Sequence, residues 1–257
     1  MRVKPRDGSE LLENPYLDDG DLARFERQYG GTDRAEQALH GGFAAATGLV
    51  YSAFSRETHV IPHAEARERA VDNWRVYGYD VGWQNPTVLL EIGKTAYDQL
   101  VVVDLFYEDK RHVEDVIKWL KDGNKPAGPI YCDHEPTHID KLKRAGYPAE
   151  QATKDRDEGF AEVRKFLEAD ENLSIPRRGK LVYMPDGSVR HTSEFSRTSS
   201  KESSSPAEPV VGLLVSEQCR PLIQEFYGYK VDHVGTPGAD DHCLDALRYA
   251  LMGVASR

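Results

Sequence analysis

The sequence predicts an α/β fold: a mixed sheet of three antiparallel strands followed by parallel ones, flanked by helices and carrying an added β-hairpin. Three observations lead there. The β-rich runs VYGYDVG, PTVLLEIGKT and QLVVVDLFYE follow one another with only short polar connections, which is the spacing of hairpin-linked strands. Helical patterns then alternate with single short apolar strands, as in a parallel sheet covered by helices. The chain of 257 residues, 39% hydrophobic and 30% charged, is long enough to bury a substantial core.

Residues 9–62 are Gly-rich and polar, with a helical candidate at Asp21 to Tyr29 and one short apolar stretch at Gly48 to Phe54. That is too little periodic apolar sequence for an independent core. Residues 1–68 therefore stand as a partial segment plus linker and 69–257 as the main domain, with the charged, helix-compatible Ala64 to Trp74 as the link. In the first strand, alternation puts Val76, Gly78 and Asp80 on one face and Tyr77, Tyr79 and Val81 on the other. After the third strand, Val113, Val116, Ile117 and Leu120 lie at helical spacing, and the Gly123 to Gly128 stretch leads into a short strand, GPIYCD. Pro136 opens a second helix that stops at Gly146, and Asp157 to Ala169 gives a third, with Phe160, Val163, Phe166 and Leu167 on one face. Residues 180–192 form a hairpin around Pro185, Asp186 and Gly187. The Ser-rich stretch SRTSSKESSSPAEP has almost no apolar side chain to repay ordering entropy and is expected to be a mobile loop. VVGLLV is a strand, Glu217 to Tyr227 a helix, and Ala239 to Val254 a final helix with Leu244, Leu247, Leu251 and Val254 inward.

Composition removes several classes of function. A formal charge of -10 argues against a protein that coats nucleic acid with a uniformly basic surface. Cys132, Cys219 and Cys243 form no C-x-x-C pair, so structural thiols in a reducing compartment are expected. No apolar run approaches the ~20 residues that span a bilayer, and no apolar stretch follows the basic start, so membrane and secretion drop out.

Carboxylates carry the chemistry. Asp is depleted in strands, so Asp80 in the first strand needs a partner or a metal unless it faces solvent. Asp133 ends the strand GPIYCD, where parallel sheets meet ligands, although it or Glu135 could equally cap the following helix. Asp241 and Asp245 stand four apart on one helical face, where like charges repel unless a cation or water screens them. Asp240 falls at the expected helix start and is assigned as the N-cap. A first strand, a fourth strand end and a late helix are elements that can converge at one sheet edge. Two Mg²⁺ or Mn²⁺ ions held there, ~3.5 to 4 Å apart, would support phosphodiester hydrolysis. His242 and His134 are secondary candidates for proton handling. A competing motif is HEPTH, in which His134, Glu135 and His138 match H-E-x-x-H with Glu158 downstream as a third ligand. Pro136 disfavours helical geometry at Glu135, so the motif is expected to be a turn with two exposed His, and a zinc metallopeptidase is the weaker alternative.

With these residues in place, the chain resembles the nuclease end of a tailed-virus terminase large subunit, the DNA-packaging motor that cuts concatemeric genomes. GYDVGWQNPT resembles the family's first acidic strand, YCDHEPTHIDKLKRAGYPAEQATKDRDEGF its second acidic segment and following helix, and GADDHCLDALRYAL its terminal acidic helix. LLVSEQCRPLIQEFYGYKVD resembles the penultimate strand and helix. The resemblance implies a ribonuclease H-like fold, catalytic metal ligands Asp80, Asp133 and Asp241 with Asp245 as a fourth, and cutting of double-stranded DNA with little base specificity. It also implies a terminase ATPase region, a small terminase subunit and a portal as partners, in the host cell cytoplasm. NPYL and FERQYGGTDRAEQALHGGFAAATGLVYSAF resemble the end of the packaging ATPase domain, yet the chain has no G-x-x-x-x-G-K-[ST] loop, so no ATPase activity is expected from it alone.

DNA contact needs a local basic surface. Between Arg177 and Lys201, six basic residues (Arg177, Arg178, Lys180, Arg190, Arg197 and Lys201) face two acidic ones, Asp186 and Glu194. Lys141, Lys143, Arg144, Lys154 and Arg156 form a second candidate surface. From a different class, the alternative is a non-catalytic module that docks the motor on DNA or portal through the basic hairpin.

Overall fold

The computed structural model describes residues 48–168, 181–183, 189–191, 210–236 and 238–256. Helices α1 (Arg56–His59) and α2 (His63–Arg69) bracket a two-residue strand, β1 (Val60–Ile61). Three long strands follow, β2 (Ala70–Asp80), β3 (Pro86–Thr95) and β4 (Leu100–Asp109), then α3 (Val113–Asp122), β5 (Ile130–Cys132), α4 (Pro136–Arg144), β6 (Ala149–Gln151) and α5 (Arg156–Leu167). Strands β7 (Leu181–Tyr183) and β8 (Val189–His191) pair antiparallel as a separate hairpin. The chain closes with β9 (Leu213–Ser216), α6 (Arg220–Gly228), a 3₁₀ turn at Val231–His233 and α7 (His242–Ala255).

Seven strands form one mixed sheet in the order β1-β9-β4-β3-β2-β5-β6. The pairs β2/β3 and β3/β4 are antiparallel, and every other neighbouring pair is parallel. Because β5 runs parallel to β2, the two strands end at the same edge. The alternation expected for β2 is observed. Val76 packs with Val88, Leu90 and Ile92 against the side chains of α5, α6 and α7, while Tyr77 and Tyr79 pack with Val113, Val116, Leu120 and Leu142 of α3 and α4 on the other face. Buried on both faces, β2 is a central strand.

Gly78 decides how closely α7 approaches. A Cβ built at this position would lie 1.8 Å from the Ala246 carbonyl oxygen, so only a residue without a side chain lets the helix backbone rest on the strand. Toward the other end of β2, Arg75 pairs with Glu91 at 3.0 Å and Lys125 reaches Glu91 at 2.8 Å, a buried charge group that ties β2, β3 and the end of α3 together.

Several expectations require correction. Residues 70–74 are strand, not the end of a helical linker. The helix stops at Arg69, and a register irregularity between Ala70 and Arg75 carries the polar AVDN segment into β2. Strands β1 and β6, of two and three residues, carry no readable periodicity. Residues on both sides of the expected 68/69 boundary share one sheet: β1 pairs with β9, and Val50, Tyr51 and Phe54 sit in the core with Phe226 and Tyr229. The helical candidate Asp21 to Tyr29, the hairpin turn and the Ser-rich stretch lie outside the described residues.

Candidate active site

Two acids end adjacent strands. Asp80 is the last residue of β2, and Asp133 follows β5, its N–H donating to the Tyr79 carbonyl at 2.9 Å. Extending the parallel register Tyr79↔Cys132 by one position sets Asp80 beside Asp133. The third side comes from α7. Resting on Gly78, that helix brings its N-terminus to the end of β2, where His242 Nδ1 lies 3.1 Å from Asp80 Oδ2. Asp241 occupies the N-cap position, and Asp245 stands one turn on, its N–H donating to the Asp241 carbonyl at 2.7 Å.

The charges act on one another. Asp80 is only 8% exposed, and burial raises its pKa; the His242 bond and charge oppose that, while the charges of Asp245 and Asp133 add to it. Asp241 is raised by burial and then by Asp245, against the lowering influence of Tyr229, His242 and Arg156. Burial alone would lower His242; the Asp80 bond and charge, with Glu225 and Asp241, outweigh it and lift the imidazole to about 9. The bond to Asp80 therefore favours the imidazolium form of His242 at neutral pH.

Three of the four carboxylates are met by a basic group. Asp80 has His242, Asp133 has Lys154, and Asp245 accepts from Arg248 Nη2 at 2.7 Å. Asp133 Oδ1 also accepts from the His134 N–H at 2.5 Å. Arg248 is buried, its guanidinium 5.8 Å from the Phe160 ring centroid and 5.1 Å from that of Tyr249, in space that Gly159 leaves open. Among the described residues, no three His, Cys, Asp or Glu side chains stand close enough as placed to hold a metal ion. The donor set is nonetheless the hard-oxygen type that Mg²⁺ and Mn²⁺ require. Ligation would need Asp80, Asp133 and Asp245 to turn from His242, Lys154 and Arg248.

Other expected site residues fall as follows. Lys154 is at the acidic edge, paired with Asp133, and so is not a free surface cation. Arg190 lies in β8, whereas Arg177, Arg178, Lys180, Arg197 and Lys201 lie outside the described residues. In the second basic group, Lys141 pairs with Glu114 at 2.7 Å and Arg144 with Asp140 at 2.9 Å. The H-E-x-x-H helix does not form: Glu135 is the N-cap of α4, so His134 precedes the helix, as Pro136 requires. His134 is exposed, but His138 is not, because its Nδ1 lies 2.9 Å from the Tyr79 hydroxyl and its ring stacks on that tyrosine. Glu158 is exposed in the first turn of α5. Asp240 is not the helix cap. The N-cap is Asp241, whose side chain makes no capping bond, and Leu244 N–H donates instead to Glu225 Oε2 at 2.9 Å. Glu225 and Arg248 escaped the sequence reading; the available signal was a charged residue among the apolar positions of an amphipathic helix.

The mixed seven-stranded sheet with helices on both faces is the ribonuclease H-like fold of terminase nuclease domains. Among solved structures, the large terminase of a thermophilic bacteriophage matches with a TM-score of 0.55 and 19% identity, covering 95% of this chain and 53% of that one. The chain thus spans about half the length of that structure. The P22 large terminase nuclease domain matches with a TM-score of 0.54 and 16% identity, over 82% of this chain and 95% of that domain. The large terminase nuclease domain of bacteriophage SPP1 with bound Mn has a TM-score of 0.46 at 18% identity, over 75% of this chain and 94% of that one. No family model and no curated protein matches the sequence.

Proposed function

We propose that the chain is the nuclease portion of a terminase-type DNA-packaging motor, a two-metal endonuclease that hydrolyses double-stranded DNA with little base specificity. One observation carries this reading: Asp80 and Asp133 end neighbouring parallel strands at one sheet edge, the head of α7 with Asp241 and Asp245 comes to that edge, and the carboxylates act on one another pairwise, Asp80 with Asp133 and Asp245, and Asp241 with Asp245. The fold shared with terminase nuclease domains supports it.

In this reading the four aspartates hold the ions, with Asp80, Asp133 and Asp241 as the core set. Two Mg²⁺ or Mn²⁺ would activate the attacking water and stabilise the leaving oxygen. The chain's own residues do the rest. The His242 imidazolium fixes the Asp80 carboxylate and is the nearest proton donor to it. Lys154, released from Asp133, supplies a cation for a DNA phosphate at the cutting edge. Arg177, Arg178, Lys180, Arg190, Arg197 and Lys201 are the further candidates for phosphate contact, on their local excess of basic charge. The partners are an ATPase region, a small terminase subunit and a portal, met in the host cytoplasm. Among the described residues, no helix is long and apolar enough to cross a membrane.

Supercoiled plasmid with Mn²⁺ tests this directly. Wild type should nick and then linearise it, Asp80→Asn and Asp133→Asn should lose that activity while still binding DNA, and chelation should abolish it. Plasmid bound but left intact by wild type would make the chain a docking module instead.

A further inference from the structure

We propose that Glu225 is a positioning residue of the acidic edge: it caps the first turn of α7 in place of the N-cap side chain and so leaves the Asp241 carboxylate uncommitted to the amides of its own helix, on the same side as Asp245. The first amides of any helix lack partners within the helix, and an aspartate at the N-cap ordinarily accepts from the second or third of them. Asp241 occupies that position and makes no such bond. The acceptor comes from another helix. Glu225 of α6 is 4% exposed, and its Oε2 receives the Leu244 N–H at 2.9 Å; the Cys243 N–H also acts on the same carboxyl.

A carboxyl on the buried face of α6, between Leu222 and Phe226, is costly unless it is hydrogen-bonded, and the first turn of α7 supplies those bonds. Its own support is rigid. Phe226, the next residue, stacks on Phe54 with ring centroids 4.1 Å apart and planes 9° from parallel, and Pro221 fixes the start of α6. The division of labour follows. A capping carboxylate is turned toward its own helix amides and is lost as a ligand, so moving that task to α6 lets the fold place at the head of α7 an aspartate whose oxygens are not spent on the amides of its own helix. Glu225 sets the position and rotation of the turn that bears Asp241 and Asp245.

The consequence for metal and cutting rests on the proposed nuclease activity; the capping itself does not. The full chain should be compared with Glu225→Leu, which removes the acceptor at similar volume, and Glu225→Gln, which keeps it. In Glu225→Leu, amide exchange at Leu244 should speed up at least tenfold, the Mn²⁺ concentration for half-saturation in calorimetry should rise about tenfold, and kcat for plasmid nicking should fall with KM little changed. Glu225→Gln should restore all three. Asp241→Ala should leave Leu244 protected and the melting temperature no lower, and this holds the test open if Glu225→Leu does not fold. Unchanged Leu244 exchange in Glu225→Leu, failure of Glu225→Gln to rescue, or Leu244 exposure in Asp241→Ala would overturn the assignment. Wild type that neither takes up Mn²⁺ nor nicks would sink the nuclease reading alone, with Leu244 exchange still deciding the capping.

Discussion

Replacing Gly78 by alanine should damage stability and cutting together. The added Cβ would stand 1.8 Å from the Ala246 oxygen, 2.6 Å from its carbonyl carbon and 3.2 Å from Ala250 Cβ. The two closest atoms are helix backbone, so no rotamer change relieves the clash. A carbon and a carbonyl oxygen need about 3.3 Å, so α7 must retreat by about 1.5 Å. Overpacking costs about 1 to 3 kcal/mol in most cores, and strand against helix backbone belongs at the upper end, about 3 kcal/mol. For a domain of this size that lowers the melting temperature by about 6 to 12 °C. The same retreat carries His242 out of its 3.1 Å contact with Asp80 and withdraws Asp241 and Asp245 from the edge. Misplacement on that scale can cost about a hundredfold in rate. Urea denaturation followed by circular dichroism reads the first effect, and plasmid nicking at saturating Mn²⁺, well below the melting temperature, reads the second. A Gly78→Ala protein within about 0.5 kcal/mol of wild type that nicks at the wild-type rate would refute the close docking of α7 on β2.

Stability should also depend on pH through Glu225. Burial pushes its carboxyl from 4.5 up to about 8, against the lowering influence of the Leu244 and Cys243 amides and of His242. The unfolded chain then loses this proton near pH 4.5 while the folded chain keeps it to about 8, so stability should fall with rising pH between those values and level off above. The loss from this group is at most about 5 kcal/mol, and Glu225→Gln should flatten that part of the urea midpoint profile; an unchanged profile would place the titration elsewhere. Arg248→Met should cost about 3 kcal/mol in urea denaturation, because it strands the Asp245 carboxylate beside an apolar pocket, and a loss under about 1 kcal/mol would mean the pair is screened. Lys154→Ala should weaken plasmid binding and reduce the slope of log K against log salt by about 1; an unaltered slope would remove Lys154 from the phosphate contacts.

The sheet was readable in the sequence because its three long strands, of 10 or 11 residues, each carry an apolar β-rich stretch set off by short polar connections, and the two faces of β2 follow from alternation over Val76 to Asp80. Asp80 stood out for the same reason, as an acid in a strand that buries both faces. What the sequence hid was decided by distant residues. Between Asp240 and Asp241 the local text GADDH gives no preference; the N-cap falls one residue later than expected, with Glu225 of α6 accepting from the Leu244 N–H. The partners Lys154, His242 and Arg248 are likewise matched to their carboxylates only when the strands and α7 have assembled. H-E-x-x-H misleads as a pattern because spacing alone does not register that Pro136 begins the helix after His134. β1 and β6 owe their existence to a neighbouring strand rather than to their own residues.

The shared sheet across residue 68 bears on how the protein must be handled. β1 occupies the outer rim of β9, and the ring of Phe54 is the lid over Phe226. Protein expressed from residue 69 onward would present β9 as a bare row of hydrogen-bonding groups beside uncovered aromatic surface, the combination that recruits a second molecule by strand addition. Such a truncation should self-associate or precipitate, whereas one beginning a few residues before Leu49 should remain monodisperse.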